Sequence, residues 1–564
     1  MADHGIEKHL AQRSALIERE KSSRHDHVFK QNMSPVAKTA ATILSNIRKK
    51  ELELFWTAPA RTNPPHDLKE VMFPGMSFAL SRDRMEQTTL WKIITAMPKG
   101  CLLHAHMEAM VDIDWMIDQA LEIPGFYITS PEPLCCGPGS RWSEPFKFLY
   151  RPGAQDRDTE VNIWHSGYTP NKPVPVLNAA RTYPGGVAAF RDWAVSRMTI
   201  NEEEALEHHH GISDIWKKFT SCFAAIGGLF FTEPIFRRCI PRLLQQIHDD
   251  GIKYIEFRLG LVQPFYREGA DDPEPDFTYF LECFQHEISK YKSTPAGSNF
   301  WGARMIWTAI RGFPLDAIKS SMEQCLSCKK AYPEFIAGFD FVGQEDAGKT
   351  LLELLPLTKW FQAECARLNL TIPFFFHAGE CLGDGNSTDH NLYDAILLSP
   401  RRIGHAFSLY KHPLLIDLVK EKKLLIEMCP ISHEVLRLTS NILMHPMPAL
   451  QARGVPVSLN NDDPAVLGHG KNGLSHDFYQ VLAGFENTGL AGLATMAEDS
   501  VRWAAFEDQS EEDWRGDVEM GANGDGTKAR RLAEWRRAFE KWCGWVVKEF
   551  GKEFGTEGLE NGNC

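Results

Sequence analysis

The sequence lacks the features by which membrane proteins and nucleic-acid-binding proteins are recognised. No apolar run approaches the roughly 18 residues that a bilayer-spanning helix needs, so no membrane association is expected. Lysine and arginine form no block, and the net charge of the 564-residue chain is −13 at pH 7. Because phosphate-rich partners attract positive charge, nucleic acids and anionic membranes are not expected partners.

Two further absences concern the cellular compartment. The polar residues 1–30 contain no apolar stretch of the kind found in secretory signals. The 13 cysteines are an odd number and are scattered, with only Cys135 and Cys136 adjacent and Cys325 and Cys328 closely spaced. Disulfide frameworks normally show a denser and more regular pattern. We therefore expect free thiols and a cytoplasmic protein.

The chain is long enough for one large domain with attachments, since single hydrophobic cores stop growing at about 250–300 residues. Residues 1–90 are predicted to be an N-terminal helical segment, because apolar residues recur there at three- and four-residue spacing. Residues 91–508 form the predicted main domain. Within it, residues 121–211 are rich in proline and glycine, which predicts an insertion with little helix. Residues 509–564 are predicted to be an acidic, Gly-rich mobile loop followed by a Trp-rich C-terminal helix at 529–550.

Short apolar runs of strand length alternate with helical patterns through the main domain. There are eight: 100–106, 252–259, 303–310, 336–342, 372–377, 402–405, 424–429 and 455–459. Apolar strands that alternate with helices indicate parallel strands buried on both faces. Eight such units predict an α/β fold, a closed (β/α)8 TIM barrel, with the insertion following the first strand.

Polar residues that can carry chemistry lie at the C-terminal ends of four of these runs. In chain order they are His104 and His106, His377 and Glu380, His405, and Asp462 and Asp463. Side chains at i and i+2 of a strand share a face, so the first two imidazoles can reach one ion. In a barrel these strand ends meet at one mouth, where the active sites of this fold lie. Three imidazoles and one carboxylate make a zinc set with a position left for water.

Several sequence blocks resemble the adenosine/AMP deaminase family, and specifically its adenosine deaminase-related growth factor branch. They are MPKGCLLHAHMEAMVD (97–112), IWKKF (215–219), AGFDFVGQED (337–346), FFFHAGE (374–380), RIGHAF (402–407), EMCPISHEVL (427–436), SLNNDDPAVLG (458–468) and GLSHDFY (473–479). The resemblance covers about residues 90–505 outside the insertion. The order HxH, HAGE and DDP is highly specific.

The resemblance implies a zinc-dependent hydrolase that deaminates adenosine, and 2′-deoxyadenosine, with release of ammonia. One Zn²⁺ per chain would lower the pKa of a bound water toward about 7, and the resulting hydroxide would attack C6 of the purine. The zinc ligands would be His104, His106, His377 and Asp462. Glu380 would protonate N1 of the ring, and His405 would orient the hydroxide.

The resemblance also implies contacts to the substrate and a mode of association. The backbone N–H of Gly343 would bind N3, Asp463 would pair with N7, and Trp216 would line the nucleoside site. The partner would be a small purine nucleoside. The N-terminal helices resemble those through which the family dimerises, so the sequence leaves a homodimer open.

The sequence departs from the branch at three places, and recognition of the sugar is the part of the site that they leave open. Met107 follows the second zinc histidine where the branch often has Asp, and Glu108 comes next. His433 stands where the branch often has Asn. Around Thr308 and Arg311 no residue matches the histidine that recognises the sugar. Adenosine monophosphate (AMP), with Arg311 as a candidate phosphate contact, or an N6-modified adenine nucleoside therefore remains an alternative substrate.

Two alternatives come from other functional classes. Residues 343–350 fit the phosphate-binding pattern G-x-x-x-x-G-K-[ST], but Glu345 and Asp346 would repel phosphates in that loop. A non-catalytic, growth-factor-like signalling protein could keep the fold after losing a metal ligand or Glu380. This sequence has lost none of them, which favours an enzyme.

Overall fold

The centre of the protein is a closed barrel of parallel strands. The computed structural model describes residues 2–56, 72–134, 145–154 and 162–555. Its strands are β1 (Gly100–His106), β2 (Phe126–Thr129), β3 (Lys147–Tyr150), β4 (Val174–Pro175), β5 (Ile252–Leu259), β6 (Gly302–Ile310), β7 (Ile336–Val342), β8 (His377–Ala378), β9 (Arg402–His405), β10 (Leu425–Met428) and β11 (Val457–Leu459). Eight of these are parallel and form two sheets, β1-β5-β6-β7 and β8-β9-β10-β11.

The two sheets join at both edges and so close the barrel. Ala105 of β1 forms a parallel bridge with Asp462, and the backbone N–H of His106 donates to the carbonyl of Asp462 at 2.9 Å. At the other junction Phe339 of β7 bridges Phe374, which lies just before β8. The predicted fold class is confirmed, and the runs at 100–106, 252–259, 336–342 and 402–405 coincide with strands.

Helices alternate with the barrel strands and also form both ends of the chain. They are α1 (Ala2–Ser23), α2 (His27–Asn32), α3 (Pro35–Glu51), α4 (Phe78–Met85), α5 (Thr89–Thr95), α6 (Ile113–Glu122), α7 (Val176–Thr182), α8 (Gly186–Met198), α9 (Glu202–Leu206), α10 (Ile212–Phe230), α11 (Glu233–Asp249), α12 (Thr278–Lys292), α13 (Leu315–Ala331), α14 (Leu355–Leu368), α15 (Asn391–Leu397), α16 (Pro413–Glu421), α17 (Pro430–Val435), α18 (Met447–Ala452), α19 (Gly473–Gly484), α20 (Gly489–Arg502), α21 (Glu511–Met520) and α22 (Thr527–Phe554). Within the described residues, none of them combines the length and the apolarity needed to cross a bilayer.

Buried charges tie the barrel strands together from the inside. Arg258 of β5 donates to Asp340 of β7 at 2.8 Å and to Glu427 of β10 at 2.6 Å. Arg402 of β9 donates to Glu427 at 2.5 Å and to Glu256 at 2.6 Å. All five side chains are fully buried. Buried charges are tolerated only when they are paired and hydrogen-bonded, so this network holds the strands that carry the site in one register.

The segment 121–211 is not the helix-poor insertion that its composition predicted. Strands β2, β3 and β4 form a small antiparallel sheet, and helices α7, α8 and α9 follow it. Pro175 and Pro184 lie just before α7 and α8, where proline is compatible with the start of a helix. The adjacent cysteines, 135 and 136, lie outside the described residues, and the ten described cysteines are buried and free.

The prediction of a mobile loop after residue 508 is wrong for its first part, which forms α21. The Ser510 side chain caps the helix by accepting the backbone N–H of Asp513 at 3.1 Å. Three acidic residues in the first turn favour the positive end of the helix dipole, and Trp514 and Val518 are buried. The expected C-terminal helix is present as α22, which packs against α3 and α20.

Candidate active site

A cavity of about 450 Å³ opens at the mouth of the barrel where the strands end. Its floor is polar and consists of residues that end or follow β1, β8, β9 and β11. Its wall is aromatic, with Trp216, Phe219 and Phe223 contributed by α10. A larger groove of about 930 Å³ lies between α2, α20 and α22, and none of the four clustered strand-end residues His104, His106, His377 and Asp462 lines it. The smaller cavity is the one lined by the histidine and carboxylate side chains at the strand ends.

Four side chains on the floor converge on one point. Ligand atoms of His104, His106, His377 and Asp462 all lie within 4.8 Å of one another. The Nε2 atoms of His104 and His106 lie 3.3 Å and 3.4 Å from Oδ1 of Asp462. The structure thus brings together the four residues predicted as zinc ligands. A second overlapping group contains His104, His405, Cys429 and Asp462.

The chemistry of this cluster fits a metal ion. Nε2 of His104 and Oδ1 of Asp462 are buried and face each other, but neither atom makes a hydrogen bond of good geometry within the described residues. Leaving a buried polar atom unpaired costs about 1–3 kcal/mol. A cation held between these atoms would satisfy them together, and imidazole with carboxylate is a common donor set for transition metals.

Carboxylates behind the cluster fix the orientation of two imidazoles. Nδ1 of His104 lies 2.8 Å from Glu427, and Nδ1 of His377 lies 2.6 Å from Asp340. Burial alone would raise the pKa of Glu427, but the Arg258 and Arg402 guanidiniums outweigh it and hold that pKa well below its ordinary value. Glu427 therefore stays charged. Both carboxylates accept a hydrogen bond from an imidazole Nδ1–H, so each Nε2 lone pair faces the cluster. Sequence reasoning missed both carboxylates.

Glu380 sits at the edge of the cluster with its carboxyl group buried. Burial and the nearby charges of Asp462 and Glu345 raise the pKa of Glu380 well above its ordinary value. Glu345 accepts hydrogen bonds from the backbone N–H groups of Gly379 and Glu380 and from the side-chain amide of Asn391. It therefore supports the turn that carries Glu380 and is not part of a phosphate-binding loop.

Two residues of the site adopt strained backbone conformations. His405 has φ +62° and Asp462 has φ +56°, in the left-handed region that side chains with a Cβ rarely occupy. Such strain persists only where the surroundings enforce it, and it clusters at functional sites. Here it turns both side chains from the ends of their strands toward the cavity.

The predicted substrate contacts also line the cavity. Gly343 has φ +99°, which favours glycine and leaves its backbone open to close approach. Both carboxylate oxygens of Asp463 are buried without a partner among the described residues. Trp216 forms part of the wall. Thr308 Oγ1 and Gln344 Nε2 are likewise unpartnered within the described part of the chain and line the cavity, and no sequence motif pointed to either as a contact.

Arg311 does not lie where a phosphate could reach it. Its side chain is fully buried, and its Nη2 donates to the carbonyls of Phe341 at 3.0 Å and His377 at 2.9 Å. Arg311 therefore supports the ends of β7 and β8 as a scaffold residue.

A closed parallel barrel with a histidine and aspartate cluster at its carboxyl mouth is the architecture of a metal-dependent barrel hydrolase.

Comparison with known proteins gives the family. A family profile described as adenosine deaminase matches residues 194–519, more than half of the chain. Adenosine deaminase 2 from Sus scrofa is 30% identical over 440 residues, which cover 77% of this chain and 80% of that protein. Adenosine deaminase 2-A from Danio rerio is 29% identical over 455 residues, covering 79% and 84%.

The chain belongs to the adenosine deaminase family, in the adenosine deaminase-related growth factor branch that its motifs resemble. It is a deaminase, an enzyme of the hydrolase class. The predicted family and enzyme class are confirmed.

Proposed function

We propose that this deaminase acts on adenosine and 2′-deoxyadenosine, using one Zn²⁺ per chain and releasing ammonia and the corresponding inosine nucleoside. The observation that carries the proposal is the group of four ligand atoms within 4.8 Å at the base of the cavity. The non-catalytic signalling alternative is disfavoured because these ligands and the buried Glu380 are all retained. The test is to follow absorbance and ammonia release when the purified protein meets adenosine.

The zinc ion would be held by His104, His106, His377 and Asp462. Three imidazoles and a carboxylate leave a coordination position for water, as catalytic zinc sites require. When bound there, Zn²⁺ lowers the pKa of a water molecule toward about 7 and so supplies a nucleophile at neutral pH.

The chain's own residues would bind and activate the purine. The raised pKa of Glu380 keeps its carboxyl group protonated, so it can donate a proton to ring N1 and make C6 more electrophilic. Gly343 admits the ring edge at N3, where a side chain would block it. Asp463, whose pKa burial also raises well above its ordinary value, would share a proton with N7. The aromatic wall at Trp216 excludes water from the base.

Adenosine should be a far better substrate than AMP. None of the described residues that line the cavity is a lysine or an arginine. Glu108 lines it, and burial raises the pKa of this carboxyl group to about 7, so a phosphate would meet partial negative charge. Like-charge contacts cost several kcal/mol, so kcat/KM for AMP should be lower by about 100-fold or more.

A substrate panel of adenosine, 2′-deoxyadenosine, AMP and an N6-modified adenine nucleoside measures this preference. Arg311→Ala should change kcat/KM for adenosine and AMP by the same factor, because within the described residues the polar contacts of its guanidinium are to backbone carbonyls and Glu345. A higher kcat/KM for AMP than for adenosine, lost selectively in Arg311→Ala, would contradict both statements.

Asp340→Asn should weaken metal binding by about 10–100-fold, the usual effect of removing a carboxylate behind a metal-binding histidine. The amide cannot accept the Nδ1 proton of His377 in the same way, so the ring loses its fixed tautomer. Competition with a chelator of known affinity measures the change. Asp417→Asn, an exposed change on α16, is the matched control. Equal affinities in the two variants would remove Asp340 from the metal site.

A further inference from the structure

Three buried histidines form a chain that ends in the candidate active site. Nδ1 of His405 lies 3.0 Å from Nε2 of His433, and Nδ1 of His433 lies 2.8 Å from Nε2 of His445. At the far end, the backbone N–H of Met447 donates to Nδ1 of His445 at 3.1 Å. The three rings are at most 4% exposed, and Phe407 packs against two of them. The sequence assigned no role to His433 or His445.

The backbone N–H of Met447 sets the direction of every hydrogen bond among the three histidines. A backbone N–H can only donate, so Nδ1 of His445 is unprotonated and its proton lies on Nε2. That proton is donated to Nδ1 of His433, which leaves the proton of His433 on Nε2. Nε2 of His433 then donates to Nδ1 of His405. By the same step, the proton of His405 lies on Nε2.

The Nε2 atom of His405 points toward the cavity. It is buried and has no hydrogen-bond partner among the described residues, and His405 lines the cavity beside Glu380 and Asp462. His405 also belongs to the second group of residues, with Cys429, that could hold a metal. A nitrogen that carries a proton has no lone pair for a metal ion.

We propose that His433 and His445 are positioning residues that hold His405 as the Nε2–H tautomer, so that it donates a hydrogen bond into the site and does not bind the metal. The inference rests on the proposed function for its role in turnover. With Nε2–H as a donor, His405 can orient an attacking oxygen by one of its lone pairs, and it cannot take up that oxygen's proton. The proton must pass to another group, and the neighbouring Glu380 can accept it once its carboxyl group has given its own proton to ring N1.

The first test reads the tautomer directly. Full-length protein labelled with ¹⁵N-histidine and loaded with zinc is studied by NMR, in which protonated and unprotonated ring nitrogens have well-separated shifts. His405→Gln identifies the signals of His405. We expect a protonated Nε2 and an unprotonated Nδ1. A protonated Nδ1 on His405, or a shift showing that its Nε2 binds the metal, would overturn the inference whatever the activity is.

The second test compares two substitutions of His433. His433→Leu removes the donor to His405, whereas the side-chain amide of His433→Gln still offers an N–H. We expect His433→Leu to lower kcat by about 10–100-fold with KM and zinc content nearly unchanged, and His433→Gln to recover most of the loss. His286→Leu, an exposed change on α12, serves as the control.

Equal kcat values in His433→Leu and His433→Gln would contradict the positioning role. If His433→Leu does not fold, the tautomer of the wild-type protein still decides the question. Failure of the proposed function looks different. In that case the zinc-loaded wild type releases no ammonia from adenosine, while the NMR result stands independently.

Discussion

Glu380→Gln should leave the fold and the metal content unchanged and lower kcat for adenosine by about 10²–10⁴-fold, the usual effect of losing a general acid. The amide has nearly the shape of the carboxyl group and can still donate a hydrogen bond, but it cannot transfer a proton to ring N1. Burial raises the pKa of Glu380 well above its ordinary value, which favours the protonated carboxyl group that the proposed reaction needs.

The measurement is steady-state ammonia release, with zinc content and thermal unfolding recorded on the same samples. Glu421→Gln, the same change at an exposed position on α16, is the matched control and should behave as wild type. A Glu380→Gln enzyme within about threefold of wild type in kcat would show that the proton comes from another group.

The sequence predicted the barrel and the site well where the signal is local. Each barrel strand is a mostly apolar run bounded by turns. The residues at the C-terminal end of the run, or directly after it, lie at the mouth of the barrel, and this holds whichever strands are its neighbours. This is why His104, His377 and Asp462 could be placed together from the sequence alone. The spacing of His104 and His106 on one strand adds the second imidazole.

The supporting carboxylates could not be predicted in this way. Asp340 and Glu427 lie inside strands that are otherwise apolar, and their partners come from other strands. Nothing in the local pattern says which arginine or histidine each one meets, because that depends on the register of the closed barrel. The same holds for the pairing of His405, at the end of β9, with His433, which lies on α17, the helix that follows β10.

The errors outside the barrel have a different origin. In segment 121–211 the abundance of proline suggested turns, although two prolines stand at the starts of helices. After residue 508 the acidic composition suggested a loop, although Ser510 followed by Asp513 has the form of a helix cap. In both segments the average composition predicted a loop, whereas individual residues next to the helix starts indicated a helix.

Removal of the metal should abolish turnover, and zinc should restore it. The purified chain should contain about one zinc, since one set of four ligands is present. A metal that activates water and stabilises charge contributes several kcal/mol, so the metal-free protein should be slower by on the order of a thousandfold or more. Zinc should also raise the unfolding temperature, because it binds the folded state only.

Among the ligands, His106 gives the sharpest variant for this test. His104 and His377 each hydrogen-bond to a carboxylate of the buried charge network, so their removal would disturb that network as well as the metal. The ring of His106 is 14% exposed and faces Asp462 at the edge of the cavity, so its removal costs the scaffold little.

His106→Ala should therefore lose zinc and activity while it unfolds close to the temperature of the metal-free wild type. His286→Ala, at an exposed position, should keep both. Full activity in metal-free protein, or normal zinc content in His106→Ala, would show that the cluster is not the catalytic metal site.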